Sequence, residues 1–367
     1  MKEGKRLTFF GSSLVSAYWN GAATYYRGLL RALHGRGYQV TFCEPDAYDR
    51  QAHRDLATDP PYAKVIVYRS AEERDRLVAD AFRGSDWVIK CSGVGIWDRE
   101  LEVAVSRGAG QTDRGPVRTA FWDVDAPATL ARMDADPADP FHAALPLFDH
   151  VFTYGGGPPV VERYEAAGAR ICTPVYNGLD PAEHRPEPGV ERRWDLLFMG
   201  NRLPDREERV HRFFLDVARS CPEYRFALGG EGWGDLALPE NLEYLGHVPT
   251  ADHNRVNAAA RLVLNIHRAS MVENGFSPAT RMFEAAGAGA CQVTDAWEGI
   301  PSFFEPEREI LVAEDGEAVA RYVREVDEER AREIGAAARA RALAEHTYER
   351  RAAEVEEVLA RYGTVAA

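Results

Sequence analysis

The segment Glu273-Asn274-Gly275-Phe276-Ser277-Pro278-Ala279-Thr280-Arg281-Met282-Phe283-Glu284 gathers residue types suited to a phosphorylated ligand. Ser277 followed by Pro278 has the form of a helix N-cap and first turn, so a helix is predicted to open there. A helix start turns free N–H groups and the positive end of the peptide dipole toward an anion. Arg281 and Glu284 are spaced i, i+3 and share one face of that helix. The cation suits a diphosphate. The carboxylate, one turn on, suits two vicinal ribose hydroxyls, which donate to its oxygens. Ala285, Ala286 and Ala288 make the rest of the helix small and buried, which argues against an idle surface ion pair.

Other clusters carry chemistry of the same kind. Gly200-Asn201-Arg202 follows the apolar run Asp195–Met199. There a glycine lets backbone approach a ligand and Arg202 grips a phosphate, or the three form an ordinary surface turn. Gly246, His247 and Val248 sit at a strand end whose backbone groups either border a nucleobase or simply lead into the next helix. His267 emerges with Arg268 at the end of a core strand, as an acid–base candidate or a satisfied core histidine. In the first half, Asp123 is the candidate base for an acceptor hydroxyl, whereas Asp125, with Pro127 two residues on, fits a helix start. Trp19 either stacks on a sugar ring or covers the edge of the core, and Ser92-Gly93-Val94-Gly95 reads as a structural turn.

These residues need a scaffold, and the chain supplies one by alternation. Short apolar runs at Arg6–Phe10, Gln39–Cys43, Lys64–Tyr68, Asp86–Cys91, Val117–Trp122 and His150–Tyr154 alternate with amphipathic stretches. After the turn-forming Asn177-Gly178-Leu179-Asp180-Pro181 and the polar His184–Arg193, read as a linker, the alternation restarts at Asp195–Met199. Such alternation predicts βα units and mainly parallel sheets. Three parts are expected: two Rossmann-like domains, 1–178 and 179–346, and a closing helical segment, 347–367. Two such α/β domains are predicted to face each other across a cleft at the carboxyl ends of their strands.

Bulk composition excludes several classes. A net charge of −14 argues against a nucleic-acid partner, which needs clustered Lys and Arg. No apolar run is long enough to span a bilayer, and the amino terminus does not read as an export signal. Five scattered cysteines without CxxC spacing read as buried thiols of a reducing cytoplasm. No GxGxxG sits in a strand-to-helix turn, and GxxxxGK[ST], HExxH and GxSxG do not occur, which disfavours nicotinamide enzymes, P-loop NTPases, zincins and serine hydrolases. Asp123-Val124-Asp125 has the spelling of an acidic metal grip but lies in the acceptor half, so no metal site is expected.

Asp195-Leu-Leu-Phe-Met-Gly200, Tyr244-Leu-Gly-His-Val-Pro249, Leu264-Asn-Ile-His267 and Arg281-Met-Phe-Glu-Ala-Ala-Gly-Ala-Gly289 together resemble the donor domain of a GT-B glycosyltransferase. The nearest likeness is the CgeB-like (spore-maturation-protein-like) group related to glycosyltransferase family 4. The first half shares only the layout, through Gly11-Ser12, Tyr26–Leu30 and Trp122–Pro127. The resemblance implies metal-independent transfer of a sugar from a UDP-, dTDP- or GDP-linked donor to an acceptor hydroxyl. In that reading 1–178 is the acceptor-side domain, 179–346 binds the nucleotide sugar and 347–367 returns to the first domain; Glu284 holds the ribose, Arg281 and the Gly200–Arg202 turn hold the diphosphate beside the helix start at Ser277, and Gly246–Val248 border the base. Family 4 usually carries another glutamate seven intervening residues before the ribose-binding one, and here that position is Phe276, so its retaining stereochemistry is not carried over. An epimerase on the same plan, or a non-catalytic nucleotide-sugar-binding protein, are the alternatives.

Overall fold

The computed structural model describes residues 4–18, 20–113 and 115–362. The chain divides into two compact units, Met1–Tyr176 with Tyr348–Ala367, and Asn177–Thr347. The strands of unit 1 are β1 Arg6–Phe10, β2 Gln39–Pro45, β3 Lys64–Tyr68, β4 Trp87–Cys91, the short pair β5 Gln111–Thr112 and β6 Gly115–Pro116, β7 Arg118–Asp123, β8 His150–Thr153 and β9 Cys172–Pro174. Those of unit 2 are β10 Trp194–Met199, β11 Phe226–Gly229, β12 Leu242–Gly246, β13 Ala260–Asn265, β14 Cys291–Asp295 and β15 Leu311–Ala313. The helices are α1 Ala23–Gly35, α2 Ala71–Gly84, α3 Asp98–Arg107, α4 Ala126–Ala135, α5 Phe141–Ala144, α6 Gly157–Ala166, α7 Pro204–Val210, α8 Asp216–Ser220, α9 His253–Ala258, α10 Ala269–Asn274, α11 Thr280–Gly287, α12 Gly316–Glu325, α13 Glu328–Glu345 and α14 Tyr348–Arg361.

Each unit is built on one parallel sheet, in the orders β3-β2-β1-β4-β7-β8-β9 and β12-β11-β10-β13-β14-β15. The central strands are apolar on both faces because helices cover both; β4 and β13 are buried along their whole length. In each sheet the strand order reverses beside the first strand, between β1 and β4 and between β10 and β13. Loops leaving the carboxyl ends of two strands diverge at such a point and open a crevice for ligands. In unit 2 those loops carry Gly200–Arg202 and Ile266–Arg268.

The core of unit 1 includes the last helix. Tyr348, Ala352, Val355, Val358 and Leu359 of α14 are buried among Tyr25, Leu29, Leu33 and Trp87. Gly28 of α1 makes that approach possible, since a Cβ there would lie 2.1 Å from the Tyr348 ring. Tyr362 stands edge-on to Trp87 and donates to Asp149 O at 2.7 Å, while His150 Nδ1 bonds its hydroxyl at 3.1 Å.

Unit 2 contains one irregular helix. Between α7 and α8, His211–Leu215 form a π-turn. The extra residue turns Phe213, Phe214 and Leu215 all into the core while Arg206 and Arg209 remain on the turn nearest the strand ends. Three short strands, β9 and the β5–β6 pair, are not expected from the apolar pattern, being only two or three residues long. All five cysteines are free and buried.

Candidate functional site

The turn after β10 is zipped to the turn after β11. Gly200 N–H donates to Gly229 O at 2.8 Å, Trp233 Nε1 donates to Gly200 O at 2.8 Å, and Asn201 Oδ1 accepts from Glu231 N at 3.0 Å. Gly230 sits at φ +123, and a Cβ there would come within 2.3 Å of Gly200 O, so only glycine permits the approach. Arg202 is bound to carboxylates of the protein. Its guanidinium donates to both Asp235 oxygens at 3.0 and 3.1 Å and to Glu207 at 2.5 Å, which makes it a strut between the two loops.

The cation that faces inward is Arg206, on the first turn of α7. It donates to Asn201 O, and its Nε is buried without a partner among the described residues. Burial lowers its pKa to about 10, and the like charges of Arg281 and Arg268 push the same way against Asp205 and Asp295. Arg281, half-buried on α11, has a buried Nη1 that likewise lacks a partner among the described residues. Burial lowers its pKa too, opposed by Glu284. Two cations that repel each other, each with an unspent N–H, form a site short of an anion.

The helix bearing Arg281 starts later than the sequence implies. Its N-cap is Ala279, and Ser277 lies before it, donating its hydroxyl to Gly275 O at 2.8 Å. Ser277 therefore does not cap α11. The Ser-Pro signature is overridden by tertiary bonds: Asn177 Nδ2 donates to Pro278 O at 3.3 Å, and Thr280 Oγ1 donates to Asn177 Oδ1 at 2.9 Å. These hold Pro278 outside the helix.

Glu284 sits one turn into α11, 7% exposed. One carboxylate oxygen lies 3.7 Å from His184 Nε2 and the other 3.7 Å from His253 Nδ1. Burial alone would raise its pKa, but His253, His184 and Arg281 outweigh it and hold the carboxyl at about 2. His253 also donates from Nε2 to Val248 O at 3.3 Å, which ties the Gly246–Val248 turn to the same cluster. Gly246 has φ +64 and accepts from Gly230 N at 2.7 Å, and His247 is exposed. Within unit 2 the structure thus links Glu284 on α11 to His184 and His253, and through His253 to the Gly246–Val248 turn, while Arg206 on α7 bonds Asn201 of the Gly200–Arg202 turn and faces the like charge of Arg281 on α11.

Two expected acid–base residues are enclosed. His267 is 1% exposed; its Nδ1 donates to Asp295 Oδ1 at 2.8 Å and its Nε2 accepts from Ala279 N at 3.3 Å. Both ring nitrogens are thereby committed to the protein. Asp123, in unit 1, is fully buried and accepts from Ser92 Oγ at 2.6 Å, Asp125 N at 2.9 Å, Thr129 Oγ1 at 3.2 Å and the Tyr164 hydroxyl. Burial raises its pKa against those donors. Its oxygens are thus taken up by the turn after β4, the start of α4 and Tyr164 of α6. Asp125 occupies the N-cap position of α4, but its side chain makes no capping bond. Trp19 lies outside the described residues.

Sequence reasoning missed Arg206, His184 and His253. Arg206 had a signal, since it falls two residues after Pro204 in the first turn of a helix that follows the same strand as Gly200. The two histidines had none, because each reaches Glu284 from a distant segment, His184 from the turn after Asp180 and His253 from the start of α9.

Residues 206–357 match a family described as glycosyl transferase-like. No curated protein matches the chain. Among solved structures it is similar to HepE from Anabaena in complex with UDP-glucose, at 13% identity and a TM-score of 0.65 over 97% of this chain and 100% of that one. It is similar to sucrose-phosphate synthase from Thermosynechococcus elongatus, at 14% identity and a TM-score of 0.70 over 99% and 100%. AviGT4, a glycosyltransferase involved in avilamycin A biosynthesis, matches at 16% identity and a TM-score of 0.62 over 99% of each chain. The fold is that of the GT-B glycosyltransferases, two Rossmann-like parallel α/β units.

Proposed function

We propose that this chain is a glycosyltransferase that takes a nucleotide-diphosphate sugar on unit 2 and passes the sugar to an acceptor hydroxyl. The observation that carries the reading is the pair Arg206 and Arg281, two half-buried cations with unspent N–H groups at the reversal point of the sheet. A Glu284 carboxylate kept ionised one turn deeper adds the second contact. In the reaction the bond between the anomeric carbon and the diphosphate oxygen breaks, and negative charge grows on the leaving group. Fixed guanidinium groups stabilise that charge without reorganising. The vicinal ribose hydroxyls donate to Glu284, and the Gly246–Val248 turn borders the base. The two arginines supply the charge that a divalent cation would otherwise bring, so transfer is proposed to be metal-independent. The Arg281–Gly289 motif supports placement in the CgeB-like group related to glycosyltransferase family 4, and the HepE complex supports UDP as the first nucleotide to test. Among the described residues no helix is long and apolar enough to cross a membrane, and we propose a cytoplasmic enzyme.

A thermal-shift screen of UDP, dTDP, GDP and ADP, each with its glucose conjugate, tests the reading. A ligand at about a hundred times its Kd stabilises a protein by about 2.7 kcal/mol. One nucleotide is expected to raise Tm and its sugar conjugate to be hydrolysed or transferred. No shift with any of them would remove the reading. Conversion of the free sugar nucleotide to its epimer would replace it with the epimerase.

A further inference from the structure

We infer that His267, Asp295 and Arg209 form a buried positioning triad that sets the spacing of the two arginines of the diphosphate site. The inference rests on the proposed donor site and deepens it by assigning the residues that hold it in shape. Asp295, at the end of β14, is fully buried. Its Oδ2 accepts from Arg209 Nη2 at 2.6 Å, and its Oδ1 accepts from His267 Nδ1 at 2.8 Å. Its oxygens also accept the backbone N–H of His267 at 3.0 and 3.2 Å. On the far side of the ring, His267 Nε2 accepts from the N–H of Ala279, the N-cap of α11. The ring itself packs 5.0 Å from Trp297.

The triad therefore joins four segments: α7 through Arg209, the loop after β13 through His267, β14 through Asp295 and the start of α11 through Ala279. Arg209 lies one turn after Arg206 on α7, and Ala279 lies two residues before Arg281. Each end of the chain of bonds thus stops beside one of the two cations. Without an anion these cations repel, and among the described residues no N-cap side chain holds the N–H groups at the start of α11. A neutral imidazole with Nδ1 fixed by a carboxylate is an acceptor at Nε2, and it holds the N-cap N–H as the reaching-back side chain of a capping box would. His267 in this arrangement acts through α11 and has no nitrogen left for a reacting atom.

The test is calorimetric titration of inorganic pyrophosphate, UDP and uridine into the wild type, His267→Gln, Asp295→Asn and Arg209→Met, with Tm measured for each. In the variants that keep a cooperative melt, pyrophosphate and UDP are expected to bind about tenfold to a hundredfold more weakly, the scale of a misplacement of about 1 Å. Uridine affinity is expected to stay unchanged, which separates loss of the diphosphate site from general loosening. Arg209→Met, at the partly exposed end of the triad, serves if the buried substitutions do not fold. Pyrophosphate affinity within twofold of wild type in the folded variants would overturn the triad while leaving the donor site standing. So would unchanged pyrophosphate and UDP binding with abolished turnover and a lost limb of the pH profile, which would make His267 an acid–base residue. A wild type that binds neither pyrophosphate nor UDP would overturn the donor site itself, and the triad's role with it.

Discussion

Arg202 and Arg206 stand four residues apart, and their surroundings give them different work. Arg202 is neutralised by Asp235 and Glu207 at the surface, whereas Arg206 is half-buried beside a second cation. Arg206→Ala and Arg281→Ala are each expected to weaken nucleoside-diphosphate binding about tenfold to a hundredfold, because each removes a charge-assisted bond worth about 1.5–3 kcal/mol. Arg202→Ala is expected to change that affinity little, since exposed ion pairs contribute little. Equal losses in all three, measured by calorimetry, would move the phosphate back to the Gly200–Arg202 turn. Glu284→Gln keeps the shape but removes the charge that His184 and His253 face. It is expected to weaken binding of a ribonucleoside diphosphate more than that of its 2′-deoxy counterpart, and no difference between the two sugars would show that Glu284 does not contact the ribose.

At the scale of elements, the last helix is part of the first unit's core. The side chains of Tyr348, Val355, Val358 and Leu359 are nearly fully enclosed, and each such burial is worth roughly 1.5–3 kcal/mol. The contact depends on Gly28, where a Cβ would meet the Tyr348 ring at 2.1 Å. Gly28→Ala raises the helix propensity of α1 but overpacks this crossing, which typically costs about 1–3 kcal/mol. A lower Tm and faster proteolysis near residue 347 are expected; a Tm equal to or above wild type would mean that α14 can shift without loss. The amphipathic pattern located α14, but its partner was a matter of topology, because the pattern only states that one face must be covered.

At the scale of the whole molecule, pH reads out how α14 and the β8 edge are joined. His150 lies between Tyr362 and Thr173, and burial lowers its pKa from 6.5 to about 4. Above pH 6.5 the imidazole is neutral in both folded and unfolded chains and costs nothing. As pH falls from 6.5 to 4 the unfolded chain takes up a proton that the folded chain refuses, so stability drops. The loss approaches about 3.5 kcal/mol once pH is below both values, at about 1.4 kcal/mol per unit shift. His150→Gln removes this titration, so the stability difference between wild type and variant is expected to move in the variant's favour across that window in urea melts. A pH-independent difference would show that His150 is not held neutral. The same acidic chain, with a net charge of −14, has no global attraction for polyanions, so its affinity for a diphosphate depends on the local pair Arg206 and Arg281.

The alternation of apolar runs and amphipathic stretches determined two parallel α/β units, because strands covered on both faces and one-sided helices each leave a local periodicity. The spacing of Arg281 and Glu284 determined that a cation and a carboxylate share one helix face, since that depends only on 3.6 residues per turn. The tertiary structure decided what lies opposite those faces. It moved the start of α11 from Ser277 to Ala279 through Asn177, brought His184 and His253 to Glu284, and exchanged Arg202 for Arg206 as the inward cation. It also turned Asp123 and His267, which the sequence offered as reactive groups, into enclosed hydrogen-bond centres. Residue type and spacing reveal which groups can share a surface, whereas burial and the choice of partner come from segments far apart in the chain, and those two quantities set whether a carboxylate or an imidazole is free to react.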